Sequence, residues 1–107
     1  MPDLAHAKYA MIWGWNFLGA TKWSHLPRIA RQFFDNGGHM VVIDPVFSQT
    51  AQAACRHGGE WVPIKPGTDG AMALAMAYVL INESRYDAAF VTANVLGFDG
   101  TDGLEPM

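Results

Sequence analysis

The chain has 107 residues, half of them apolar and 16% charged, with a formal net charge of −3. That size and composition fit one folded domain, residues 1–107, with a modest core, and exclude a disordered chain. Its seven Lys and Arg residues form no cluster, which excludes a nucleic-acid surface, because neutralising phosphates takes grouped cations. Cys55 is the single cysteine, so this chain cannot supply an internal disulfide, a CxxC redox pair, a zinc cluster or an iron–sulfur cradle. Cys55 is expected to be a small buried side chain.

Tyr9-Ala10-Met11-Ile12-Trp13 is a short apolar run stopped by Gly14 and reads as a buried strand. Gly14 to Lys22 reads as a loop. Ser24 is placed to cap a helix, with Pro27 tolerable in its first turn. Leu26, Ile29, Ala30, Phe33 and Phe34 then recur at helical spacing, and Asn36-Gly37-Gly38 supplies a left-handed stop. Met40-Val41-Val42-Ile43 is a second buried strand, ended by Asp44-Pro45. Thr50 to Arg56 predicts a short helix closed by Gly58-Gly59. Trp61-Val62-Pro63-Ile64 predicts a third strand, near a sheet edge because Pro63 lacks a ladder donor. After Pro66-Gly67-Thr68-Asp69, one helix is expected from about Gly70 to Glu83 and another from about Asp87 to Val95. The Gly- and Asp-rich end, including residues 101–107, predicts a poorly ordered tail.

Apolar strands alternating with helices indicate an α/β fold. The expected architecture is a three-layer, Rossmann-like parallel sheet of about three strands with helices on both faces and right-handed crossovers. Ala71 to Ile81 is apolar around its whole circumference, so this helix demands cover that so small a domain can hardly supply. It is far short of the ~20 residues that cross a bilayer. The start, MPDLAHAK, has no basic region followed by an apolar run. The chain therefore reads as soluble, without a membrane partner, and cytoplasmic by default.

In an open parallel sheet, ligands bind beyond the carboxyl ends of the strands. Here those ends carry Trp13-Gly14-Trp15-Asn16, Asp44-Pro45 and Pro66-Gly67-Thr68-Asp69. Gly14 and Gly67 permit close backbone approach, Asn16 and Thr68 can donate and accept hydrogen bonds, and Asp44 and Asp69 can accept from ribose hydroxyls or a purine N–H edge. The helix beginning near Asp69 offers amide groups to an anion. Taken singly, each feature is also accounted for by an N-cap or a strand-ending turn. Neither GxGxxG nor GxxxxGK[ST] is present, so an ordinary dinucleotide fold and a P-loop are not supported. His6, His25, His39 and His57 show no metal-ligand spacing, and the tryptophans read as core. No acid–base pair, activated nucleophile or metal cluster stands out.

Three segments, IWGWNFLGAT, VVIDPVFSQTA and EWVPIKPGTDGAMALAMAYVLI, with YDAAFVTANVLGFDG downstream, carry a family likeness. In their order and spacing the chain resembles the guanosine-binding domain of the dimethyl sulfoxide reductase family of molybdopterin oxidoreductases, over about Ala10 to Gly100. The resemblance implies a fragment of a larger enzyme, holding the guanosine diphosphate end of a molybdopterin guanine dinucleotide and inactive alone. It implies that Trp13, Gly14 and Asn16 line the phosphate and ribose, that Asp44 and Pro45 lie against the nucleoside, and that Gly67, Thr68 and Asp69 line the remaining edge, with Asp69 accepting from guanine. The implied partners are the remaining domains of the parent enzyme, which the resemblance leaves free to be periplasmic. Val46 stands where the family often has a basic residue. The family's molybdenum ligand, its cysteine-rich cluster segment and its second pterin-binding domain have no counterpart in this chain. A stand-alone α/β nucleotide-binding or interaction module, self-associating through Ala71 to Ile81, is the rival reading. A small enzyme using Asp44 and Asp69 as acid and base is a weaker third.

Overall fold

The computed structural model describes residues 2–20 and 23–98. The chain divides into two compact units, Met1–Thr68 and Asp69–Met107.

The first unit holds one open sheet of three parallel strands in the order β1-β2-β3, namely β1 (Tyr9–Trp13), β2 (His39–Ile43) and β3 (Glu60–Val62). Helix α1 (Leu26–Asp35) joins the first pair and α2 (Gln49–Arg56) the second. Central β2 is buried along almost its whole length, as expected of a strand covered on both faces. β1 differs from the expectation of a fully buried strand: Ala10 and Ile12 are buried, whereas Tyr9 and Met11 are exposed. It is an edge strand, and the two faces of its pleat see different surroundings. β3 is shorter than the expected Trp61–Ile64 and stops before Pro63, whose missing N–H cannot extend the ladder.

The α1 stripe is buried as its spacing predicts, through Leu26, Ile29, Ala30 and Phe33, while Phe34 is half-buried. Phe33 is wholly inaccessible and packs with Met40 and Val42 of the central strand. Ser24 does not cap this helix; His25 holds the N-cap position without a side-chain bond, and Pro27 sits in the first turn. At the other end Gly37 N–H donates to the Phe34 carbonyl and Gly38 N–H to the Phe33 carbonyl, each at 2.9 Å. Those two bonds close a Schellman stop. A 3-10 turn over Pro2–His6, not foreseen from sequence, is tied in by Asn36 Nδ2, which donates to the Ala5 carbonyl at 2.9 Å.

On α2 the buried residues are Thr50, Ala51 and Ala54. Cys55 lies at the margin of that stripe and is exposed, contrary to the expected burial. After α2 the chain passes so close to β2 that a Cβ on Gly59 would stand 2.1 Å from the Met40 carbonyl oxygen. The tryptophans are less buried than expected of core residues: Trp15 and Trp61 pack partly buried against the core, and Trp23 is 51% exposed.

The second unit contains α3 (Asp69–Asn82) and α4 (Ala88–Asn94). No side chain of α3 is buried, and Leu74 and Tyr78 are 73% and 67% exposed. Asp87 caps α4 by accepting from the Phe90 N–H at 3.0 Å, and Phe90 itself remains exposed. Most of the expected tail, including residues 101–107, lies outside the described residues. Among the described residues no helix is long and apolar enough to cross a membrane.

Candidate functional site

Register brings the strand ends together. Trp13 pairs with Ile43, and Ile43 pairs with Val62, so β1, β2 and β3 finish level with one another. The ladder runs one step further on each side. Gly14 N–H donates to the Ile43 carbonyl at 2.9 Å, and Asp44 N–H donates to the Val62 carbonyl at 3.2 Å. Gly14 does this with φ +59°, where a side chain would be strained. Trp13, Gly14, Asn16, Asp44 and Pro45 therefore occupy one region at the carboxyl edge of the sheet.

Asp44 is nearly buried at 9% exposure. Its Oδ1 accepts from the Val46 N–H at 2.8 Å, an Asx turn that ends the strand. Its carbonyl accepts from Trp61 Nε1 at 2.8 Å, while the Trp61 ring meets Phe47 edge-on at 5.0 Å. The third strand is thus tied to the loop leaving the second. Pro45, Val46 and Phe47 are exposed.

Asn16 is the hub between the loop after β1 and the start of α2. Its Oδ1 accepts from the N–H groups of Gly19 and Thr50, each at 3.2 Å, and from Thr50 Oγ1 at 3.0 Å. Its Nδ2 donates to Gln49 Oε1 at 2.6 Å. Thr50 Oγ1 in turn accepts from the Leu18 N–H at 3.1 Å. Ser48 caps α2 through an Oγ that accepts from the Ala51 N–H at 3.4 Å. Two first-turn donors of α2 are therefore held by protein side chains, which weakens this helix end as an anion site.

Against this frame lies a cleft of about 390 Å³ lined by Asn16, Val46, Phe47, Ser48, Gln49 and Gln52. Its size falls in the range of roughly 300–1,000 Å³ common for small-molecule sites. Among the described residues the lining mixes amide and hydroxyl groups with one aromatic ring. Such a surface suits the polar, planar and sugar parts of a nucleotide. Among the described residues no group of three or more His, Cys, Asp and Glu could hold a metal ion.

The Pro-Gly-Thr step makes a turn after β3. Thr68 N–H and Oγ1 both donate to the Lys65 carbonyl, at 3.1 and 2.7 Å. Pro66 in the second position and Gly67 at φ +85° in the third fit a type II turn. A Cβ on Gly67 would meet nothing within 4 Å, so the dihedral angle, not crowding by protein atoms, requires glycine here. Asp69 opens α3 and belongs to the second unit. Ser48, Gln49, Thr50 and Gln52 were not singled out from sequence. Their signal was a polar cluster, SQTAQ, entering a helix straight after a strand end.

Comparison with known proteins gives these residues a context. The family model described as molybdopterin oxidoreductase matches residues 1–98. The chain is similar to the probable oxidoreductase YyaE of Bacillus subtilis (strain 168), 35% identical over 95% of this chain and 14% of that protein. It is similar to dimethyl sulfoxide reductase DmsA of Escherichia coli (strain K12), 33% identical over 91% of this chain and 12% of that protein. It is also similar to the molybdopterin-containing subunit ArrA of the arsenate respiratory reductase of Chrysiogenes arsenatis, 37% identical over 83% of this chain and 10% of that subunit. The chain thus spans at most about one seventh of each of these curated relatives. With that match across nearly its whole length, the chain belongs to the molybdopterin oxidoreductase family, among the relatives of dimethyl sulfoxide reductase.

Proposed function

We propose that this chain is the part of a molybdenum-dependent oxidoreductase that holds the guanosine diphosphate end of a molybdopterin guanine dinucleotide. The observation that carries the reading is the level finish of three parallel strands beside a polar cleft of about 390 Å³, the position where open α/β sheets bind ligands. When bound, the cofactor's metal would supply oxygen-atom or electron-pair transfer. The residues of this chain would bind and orient its nucleotide end and perform no chemistry themselves.

In this reading the backbone around Trp13 and Gly14 approaches the phosphates and ribose, with Asn16 holding that loop in place. Asp44 and Pro45 shape the wall against the nucleoside. Gly67 and Thr68 form the turn that borders the remaining edge. Asp69 keeps its motif-based role as an acceptor from guanine.

The same reading makes residues 1–107 one α/β domain of a longer polypeptide, whose other domains cover the exposed α3. The feature that favours a stand-alone module is this same helix, since Leu74 and Tyr78 would serve equally as a dimer interface. Sedimentation separates the two: a stable, well-behaved dimer without nucleotide affinity would support the module.

Calorimetry with GDP and ADP on the refolded chain tests the cofactor reading. Weak binding of GDP, with a Kd on the order of 1 mM, and weaker binding of ADP is expected. A tight preference for ADP would overturn it.

A further inference from the structure

Thr50 is fully inaccessible, yet it is polar and sits on the buried stripe of a short helix. Burying a hydroxyl is unfavourable unless its hydrogen bonds are made, and here they are made across a sequence gap of more than thirty residues. The hydroxyl proton goes to Asn16 Oδ1 at 3.0 Å, and its oxygen accepts from the Leu18 N–H at 3.1 Å. The Thr50 N–H adds a second bond to the same Asn16 oxygen at 3.2 Å. Leu18 and Gly19 both lie in the turn after β1, and Gly19 N–H also reaches Asn16 Oδ1 at 3.2 Å. One buried threonine thus joins the loop after β1 to the start of α2, beside the Asn16–Gln49 bond that links the same two segments.

We infer that Thr50 is a positioning residue that latches the β1 loop onto the first turn of α2, so that the walls of the cleft move as one body. Asn16 acts through this latch: its oxygen serves three donors and its Nδ2 is committed to Gln49 Oε1. Among the polar side chains lining the cleft, the NH2 group of Gln49 and the amide of Gln52 are then available to a ligand, with the Ser48 O–H as a further donor. Gly19 fits the same picture. A Cβ there would stand 2.3 Å from Asn16 Nδ2 and 2.6 Å from Gln49 Oε1, so a side chain would push the latch apart from outside. The inference rests on the cofactor reading only for the identity of the ligand.

The test uses the full chain and two readouts. Thr50→Val keeps the shape and removes the hydroxyl; Thr50→Ser keeps the hydroxyl. Amide hydrogen exchange at Leu18 and Gly19 reports the latch, and exchange at Met40 and Val42 reports the fold. Thr50→Val is expected to raise exchange at Leu18 and Gly19 about 10-fold or more, the size of one lost net hydrogen bond, with Met40 and Val42 unchanged. Thr50→Ser is expected to restore protection, and Gly19→Ala to reproduce the loosening, which keeps the question answerable if Thr50→Val fails to fold. GDP binding is expected to fall about 10-fold with the loosened variants and to recover in Thr50→Ser. Unchanged exchange at Leu18 in both Thr50→Val and Gly19→Ala would overturn the latch. Loosened loops with undiminished GDP binding would overturn its role at the cleft. Loosening in a chain whose unsubstituted form binds no GDP would support the latch and overturn the cofactor reading instead.

Discussion

The two units of the chain use apolar residues in opposite ways. In Met1–Thr68, the apolar side chains of α1, α2 and β2 form a closed core around Phe33, Met40 and Val42. In Asp69–Met107, the most apolar helix of the chain buries none of its side chains. Composition alone would rank α3 as the deepest element. An apolar stripe and an apolar cylinder make different demands. A stripe is satisfied by one sheet face; a cylinder needs neighbours all round, and among the described residues none buries a side chain of α3.

Removing the centre of the first unit should have the largest effect. Phe33→Ala should cost about 4 kcal/mol, enough to unfold the sheet-bearing unit in a urea titration followed by tryptophan fluorescence. Gly59→Ala should cost about 3 kcal/mol, because the added carbon meets the backbone carbonyl of Met40 at 2.1 Å and neither chain segment can yield cheaply. Ser48→Ala removes the α2 cap and should cost about 1 kcal/mol in the same titration. At the far end, Leu74→Lys on the exposed helix should change stability by less than about 0.5 kcal/mol in the same titration. If Leu74→Lys instead destabilised the fold as strongly as Phe33→Ala, the contrast between the units would be false.

Much of this was legible in the sequence because it is local. The β1 run stops at Gly14, the α1 stripe repeats at helical spacing, and Asn36-Gly37-Gly38 forms the expected stop. The misses share a different cause. The alternating exposure of β1 follows from its position at the sheet edge, which no local pattern in that strand encodes, whereas Pro63 did mark β3 as an edge strand. The Pro2–His6 turn depends on Asn36, a residue 31 positions away from Ala5. Asn16 stands out by its chemistry next to a strand end, yet its partners Gln49 and Thr50 become visible only when the fold brings the two segments together. Asp44 illustrates how local the turn signal is: its carboxylate accepts from the Val46 N–H and ends the strand, as Asp44-Pro45 announces.

The proposed function puts the nucleotide end of the cofactor at the carboxyl edge of the sheet in the first unit. Two-dimensional amide NMR of the chain titrated with GDP tests it most directly. The prediction is a single cluster of shifted resonances at Gly14, Asn16 and Ser48 to Gln52, including the side-chain amides of Gln49 and Gln52, with Tyr9 and His39 at the opposite strand ends unmoved. Shifts confined to those opposite ends, or to the exposed face of α3, would contradict it.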